Sequence, residues 1–171
     1  MTPAAADDLD VRVDEGRLRE VMARSLTGVA VVTAPGPDGP VGMTVSSFTS
    51  VSLEPPTMLV CLDRAGRVHR AVSAAGCYAI NILGGSQARL ARRFAERGLP
   101  QGERFRWLDL GRGVTGSPLI VGVAAWLDCR VHDELVVGTH VIAVGDVVAA
   151  GLDPTGEAPL AYHRRALGPL R

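Results

Sequence analysis

The segment MTVSSFTSVS (43 to 52) gathers Thr44, Ser46 and Ser47 within four positions. At a strand edge, such hydroxyls and the backbone groups beside them can donate to and accept from a polar ring. Ser and Thr also decorate ordinary exposed strands, and the residues alone leave both readings open. Next comes Cys61-Leu62-Asp63-Arg64-Ala65-Gly66-Arg67, read as a loop running directly into a helix. A loop of that kind turns free N–H groups and the positive end of the helix dipole toward a phosphate. Arg64 and Arg67 add charge, although solvated loop arginines are common. No neighbouring histidine or cysteine activates Cys61, so it is not read as a nucleophile. Asn81 interrupts an apolar strand, and a buried amide must be hydrogen-bonded by a ligand or by the fold itself. His140, inside a strand, either orients a ligand or is a satisfied core residue.

Other chemistries find no support. The sequence has no GxSxG, no HExxH and no P-loop, and none of its four histidines sits at zinc-site spacing from Cys61, Cys77 or Cys129. Lys plus Arg number 18 and so do Asp plus Glu, and aromatics make up 4%, a composition that does not favour nucleic acid. Three widely spaced cysteines, an acidic N-terminus without an apolar core and no membrane-length apolar run predict a soluble, cytoplasmic protein.

These residues need elements to position them. The pattern predicts a loose arm over residues 1 to 13 and one domain over 14 to 171. A helix is expected from Asp14, with Leu18, Val21, Met22 and Leu26 on one face and Gly28 as its stop. VAVVT (29 to 33) and VGMTVSSF (41 to 48) read as hairpin partners around the PGPDGP turn. TMLVCL (57 to 62) and CYAINIL (77 to 83) read as buried strands flanking a short helix that ends before Gly76. Ser86 is expected to cap SQARLARRFA, and residues 97 to 118 to form a long mobile loop. LDCRVH (127 to 132) and LVVGTHVIAVGDVVAAG (135 to 151) are expected to pair as a hairpin about the HDE joint. The second run, apolar on both sides and broken by Gly138 and Gly145, suits a curved barrel wall.

At GMTVSSFTSVSLEPPTMLVCL (42 to 62) the chain resembles the flavin reductase-like family, small reductases that feed reduced flavin to two-component monooxygenases. The resemblance continues through the loop at 63 to 67, YAINIL, QARLARRFA, and PLIVGVAAWLDCRV followed by GTHVIAVGDV. It covers roughly Leu18 to Arg164. It implies a mainly β fold, a six-stranded antiparallel Greek-key split barrel of the FMN-binding type with short helices. Such barrels are usually homodimers holding flavin in a groove near the subunit interface. The cofactors implied are FMN or FAD, with NADH or NADPH as hydride donor, and a partner monooxygenase is implied as the consumer. Two other readings keep the fold: a flavin-dependent oxidoreductase acting on a small organic substrate in a biosynthetic pathway, and a non-catalytic flavin-binding dimeric subunit.

By the same resemblance, the ring lies against Thr44, Val45, Ser46 and Ser47. Cys61 lies beside the ring through its backbone and small side chain, Leu62, Asp63, Arg64 and Arg67 follow toward the phosphate, and Asn81, Gln87, Arg93 and Phe94 are further cofactor-side positions, while Leu90 and Phe94 also share a packing face. The family pattern Gly-Asp-His, four residues, Gly becomes Gly138, Thr139, His140, VIAV, Gly145, with Thr139 in the aspartate's place. His140, Tyr162 and Arg164 are thereby assigned to the nicotinamide or substrate. The C-terminus keeps Tyr162, His163 and Arg164 but has Ala166 and Leu167 where a later aromatic is expected.

Overall fold

The computed structural model describes residues 13–169, so the expected N-terminal arm lies outside the described residues except for Val13. Asp14 opens the first helix, α1 (Glu15–Met22), by accepting the Arg17 amide at 2.9 Å. The helix ends at Met22, before Gly28, and its apolar face of Leu18, Val21 and Met22 is exposed.

Among the described residues twelve strands follow: β1 (Thr27–Gly28), β2 (Ala30–Gly36), β3 (Gly39–Val45), β4 (Phe48–Leu53), β5 (Pro56–Asp63), β6 (Cys77–Ile82), β7 (Leu110–Arg112), β8 (Pro118–Ile120), β9 (Ala125–Val137), β10 (His140–Leu152), β11 (Leu160–His163) and β12 (Ala166–Pro169). Helices α2 (Arg67–Ala75), α3 (Ala88–Ala95) and α4 (Gln101–Phe105) lie between them. The fold is mainly β, built on a seven-stranded antiparallel sheet in the order β3-β2-β6-β9-β10-β5-β4. Its two outermost strands are consecutive in sequence and joined only by Ser46 and Ser47. Three Cα–Cα steps reach at most ~11 Å, so the sheet must bend enough to bring the end of β3 and the start of β4 within that distance.

Side-chain alternation sorts the core into two clusters. Ala30, Val32 and Ala34 of β2 face a first cluster with Val60, Leu62, Tyr78, Ile80 and Cys129. Val31 and the preceding Val29 face a second with Leu83, Phe94, Phe105, Ile120 and Leu160. Helix α2 plugs the first cluster with Val68, Ala71 and Val72, and α3 and α4 cover the second. Gly145 is required where the Tyr78 ring crosses β10, since a Cβ there would sit 2.6 Å from the Tyr78 oxygen. The Tyr78 hydroxyl donates toward the carbonyls of Met58 (3.5 Å) and Ala143 (3.4 Å). Burial raises the pKa of Tyr78 and pushes that of Cys129 beside it up to about 12.

Three local expectations are corrected. The β9–β10 hairpin turns at Gly138–Thr139, with Val137 opposite His140, rather than at HDE (132 to 134). Gly138 adopts φ +57°, the left-handed conformation a two-residue turn needs, whereas His, Asp and Glu continue the strand. Ser86 does not cap α3: a short 3-10 turn, Gly85–Gln87, precedes the helix, and the Gln87 side chain takes the Gly84 amide at 2.8 Å. Residues 97 to 118 are not one long loop but carry α4, β7 and the start of β8. Buried polar groups tether this stretch. Asp128 accepts from the Thr115 amide (2.8 Å) and hydroxyl (2.5 Å), and the Thr33 hydroxyl donates to the Pro118 carbonyl at 2.5 Å. Buried Arg104 donates to the carbonyls of Leu99, Arg93, Phe94 and Glu96, fastening α4 to the end of α3.

Candidate functional site

Strand β5 alternates with Met58, Val60 and Leu62 inward, which leaves Leu59, Cys61 and Asp63 on the outer face. Opposite residues in a sheet share a face, so the pairs Asp63↔His140 and Cys61↔Ile142 put His140 and Ile142 beside them. On the other flank the Cys61 amide donates to the Ser47 carbonyl at 2.9 Å, and the Ser47 hydroxyl reaches the Cys61 carbonyl at 3.3 Å. Ser47, Cys61, Asp63 and His140 therefore line one continuous outward strip at the end of β5. Thr44 comes from β3, where Val41, Met43 and Val45 point inward, and its hydroxyl donates to the Ala91 carbonyl of α3 at 2.7 Å.

The loop after β5 is tightly built. Asp63 Oδ1 accepts the Ala65 amide at 2.9 Å, the Asp63 carbonyl accepts the Gly66 amide at 2.9 Å, and the Arg64 amide donates to the Thr139 carbonyl at 3.0 Å. The last contact locks the loop to the β9–β10 turn. His69 Nδ1 lies 3.1 Å from the Arg64 carbonyl, holding the loop from the α2 side. No side chain caps α2 at Gly66, so its first-turn amides face outward without a partner side chain. The Arg64 and Arg67 side chains are exposed and enter no ion pair among the described residues. An uncapped helix start, two unpaired guanidiniums and a hydroxyl-bearing strip suit an anionic ligand with a polar ring.

Several sequence-assigned residues have side chains that the fold itself uses. Asn81 is fully buried, and the fold uses its whole amide: Nδ2 donates to the Val31 carbonyl and the Thr33 hydroxyl, both at 3.0 Å, and Oδ1 accepts the Ile120 amide at 2.8 Å. It fixes β8 against β2 and β6 and has no group left for a ligand. Phe94 is a core residue, edge-on to Phe105 at 4.9 Å between centroids. The Gln87 amide is spent on Gly84 and on the Gly122 carbonyl (2.9 Å), and the Arg93 guanidinium on the Glu103 carbonyl. Arg89 and Arg92 are the exposed arginines of α3. Val45 and Leu62 bury their side chains in the core and offer a ligand only their backbones.

His140 is exposed, its Nδ1 2.9 Å from the Thr139 hydroxyl, so the threonine in the aspartate's place still partners the ring. Tyr162 belongs to another sheet, β1-β11-β12, where it pairs with Thr27 and packs on the second cluster, and Arg164 sits in the β11–β12 turn. Arg164 turns at φ +49° with its amide on the Ala23 carbonyl, and no hydrogen bond among the described residues joins it to the His140 strip. Sequence reasoning missed His69 and Arg70, whose Nη1 donates to the Ala65 carbonyl at 2.6 Å. Their spacing from Arg67 on α2 was the available signal. No group of three or more potential metal ligands occurs among the described residues, and no helix there is long and apolar enough to cross a membrane.

Known proteins resemble this chain in sequence and fold. One relative, "Stachydrine N-demethylase reductase subunit Stc3" of Rhizobium meliloti, is 42% identical over 153 residues, which cover 87% of this chain and 65% of that protein. The chain thus spans just under two thirds of that relative's length. A nitrilotriacetate monooxygenase component B homologue from Mycobacterium thermoresistibile superposes with a TM-score of 0.84 at 32% identity, over 90% of this chain and 85% of that one. The Streptomyces globisporus NADH:FAD oxidoreductase SgcE6, in complex with NAD and FAD fragments, superposes with a TM-score of 0.84 at 34% identity, over 92% and 93%. The family model described as "Flavin reductase like domain" matches residues 22–171, nearly all of the described fold, and this chain belongs to that family.

Proposed function

We propose that this chain is an NAD(P)H-dependent flavin reductase that supplies reduced FMN or FAD to a partner monooxygenase. The observation that carries the reading is the Ser47–Cys61 pairing, which sets the hydroxyl-bearing link beside the arginine loop on one outward strip. A flavin held here would supply the redox chemistry, with a nicotinamide as hydride source. The protein's work is positioning. Ser46, Ser47 and the backbones of Val45, Cys61 and Leu62 offer hydrogen bonds to the ring. The first-turn amides of α2, with Arg64 and Arg67, offer charge and donors to its phosphate. His140, at the far side of Asp63, orients the donor nucleotide with Thr139 steadying its ring.

The proposal treats residues 14–171 as one domain and its architecture as a six-stranded Greek-key split barrel. Counting β3 and β4 as one strand bent at Ser46–Ser47 turns the seven-strand order into six strands that return to their starting point, which supports this reading. It further takes the protein to be a homodimer. Support comes from apolar side chains left in water, Leu18, Val21 and Met22 on α1 and Leu135, Val136 and Val137 at the β9–β10 tip, each more than half exposed. A second copy over such faces would also wall in a site that is an open shelf on one chain.

The test is to mix the purified protein with FMN or FAD and follow NADH and NADPH oxidation through the nicotinamide absorbance. Acceleration with at least one flavin–donor pair is expected. Failure with all four pairs would defeat the assignment.

A further inference from the structure

The imidazole of His69 on α2 stands between two groups that only accept hydrogen bonds. Nδ1 lies 3.1 Å from the Arg64 carbonyl of the arginine loop, and Nε2 lies 3.6 Å from Glu134 Oε1, an ion-pair rather than a hydrogen-bond distance. Glu134 is on β9 opposite Ala143, which is fully buried, and opposite residues share a face, so its carboxylate points to the side that α2 plugs. Oε2 accepts the Ser73 hydroxyl at 2.9 Å, whereas Oε1 is buried with no hydrogen-bond partner among the described residues. The His69 and Glu134 side chains are only 16% and 25% exposed, so solvent screens the pair weakly.

A neutral imidazole has one N–H and can serve either Arg64 or Glu134; the imidazolium serves both. Leaving a buried carboxylate oxygen without a cation is costly, which favours the charged ring. The other charged groups on the neighbouring elements are engaged elsewhere or exposed. Asp63 holds the Ala65 amide, Arg70 the Ala65 carbonyl and Asp133 the Glu134 amide, while Arg64 and Arg67 are exposed. Glu134 is the one ion-pair partner of His69 among the described residues.

We propose that protonated His69 is a positioning residue, clipping the phosphate loop through the Arg64 carbonyl to Glu134 of β9, so that the grip on the flavin phosphate weakens as the ring loses its proton. The inference rests on the flavin reading and deepens it. Proton loss leaves one of the two acceptors unserved, and the loop is then held from one side fewer. The Ser47–Cys61 strip, which offers hydrogen bonds to the flavin ring, does not pass through this clip.

Two variants remove the titrating clip from either end. His69→Asn keeps an amide donor for the Arg64 carbonyl without a charge, and Glu134→Gln removes the carboxylate while leaving Ser73 an acceptor. FMN and riboflavin dissociation constants are measured by fluorescence titration between about pH 5 and 8, where a histidine changes charge. The FMN phosphate also titrates in this interval, but equally for every variant, so the quantity read is wild-type affinity relative to each variant at the same pH. That ratio is expected to fall about fivefold or more for FMN from the acid to the alkaline end, and to stay flat for riboflavin. Riboflavin binding near the wild-type level also shows that the variants fold, and either variant alone carries the test. An FMN ratio that is the same at every pH would overturn the proposal, as would a riboflavin ratio that changes in parallel. A wild-type protein that binds neither flavin at any pH would instead remove the flavin reading itself, and this inference with it.

Discussion

The Cys61 amide donates to the Ser47 carbonyl at 2.9 Å, while the Ser47 hydroxyl reaches back to the Cys61 carbonyl at 3.3 Å. This two-way contact joins the only link between the outermost strands of the main sheet to the strand that ends in the arginine loop. Without it the hydroxyl-bearing link and the loop would be separate surface features.

Charge in the loop is predicted to act on the flavin phosphate rather than on the fold. Both side chains are exposed, so Arg64→Ala and Arg67→Ala leave the melting temperature near wild type. Each weakens flavin binding by roughly 1.5–3 kcal/mol, the range for a hydrogen bond to a charged group, or about ten- to a hundredfold in Kd. Riboflavin, which lacks the phosphate, loses far less, and a fluorescence titration with both ligands measures the difference.

Asn81 separates structure from function in the opposite sense. Asn81→Ala strips partners from the Ile120 amide and the Thr33 hydroxyl inside the core. The expected cost is about 2–4 kcal/mol of stability, read from chemical denaturation. Flavin affinity of the folded fraction stays unchanged. A specific loss of affinity with normal stability would restore Asn81 to the site.

Subunit association is predicted to depend on the β9–β10 tip. Leu135→Glu combined with Val137→Glu places charge on an exposed apolar patch that a lone chain leaves in water. Sedimentation should then show a monomer where the wild type is a dimer, with flavin binding weakened alongside. A wild type that already sediments as a monomer contradicts the homodimer.

Alkaline pH should destabilise the core through Cys129. Its ordinary value is 9.0 and burial pushes it up to about 12 in the folded state. The unfolded thiol therefore loses its proton first. The stability tied to the buried neutral thiol is intact below about pH 9 and is lost as pH climbs toward about 12. Tyr78, raised by the same burial, adds to the decline. Denaturation midpoints across that range should fall less steeply in Cys129→Ala.

Much of the sheet was legible because buried strands announce themselves. VAVVT, TMLVCL and CYAINIL are β-branched runs bounded by turn residues, and each became a strand, TMLVCL and CYAINIL to within a residue at each end and VAVVT running on to Gly36. The β9–β10 turn was misplaced because three polar residues resemble a joint, while the decisive signal was one glycine in a left-handed conformation. The stretch after residue 97 looked irregular since its order comes from buried tertiary hydrogen bonds to Asp128, Asn81 and Thr33, which local pattern does not carry. At the site, Ser47, Cys61, Arg64, Arg67 and His140 came together because their strands are neighbours. Asn81, Gln87, Arg93 and Phe94 have side chains engaged within the fold, which polarity or family position alone does not reveal.

The central claim is that the Ser46–Ser47 link and the Cys61–Arg67 loop seat one flavin together. Isotope-labelled protein titrated with FMN or FAD and followed by amide nuclear magnetic resonance tests this directly. The account predicts that amides of residues 46 and 47 and of residues 61 to 67 shift along the same binding curve. Saturable shifts confined to one of the two segments, or lying elsewhere on the fold, would contradict it.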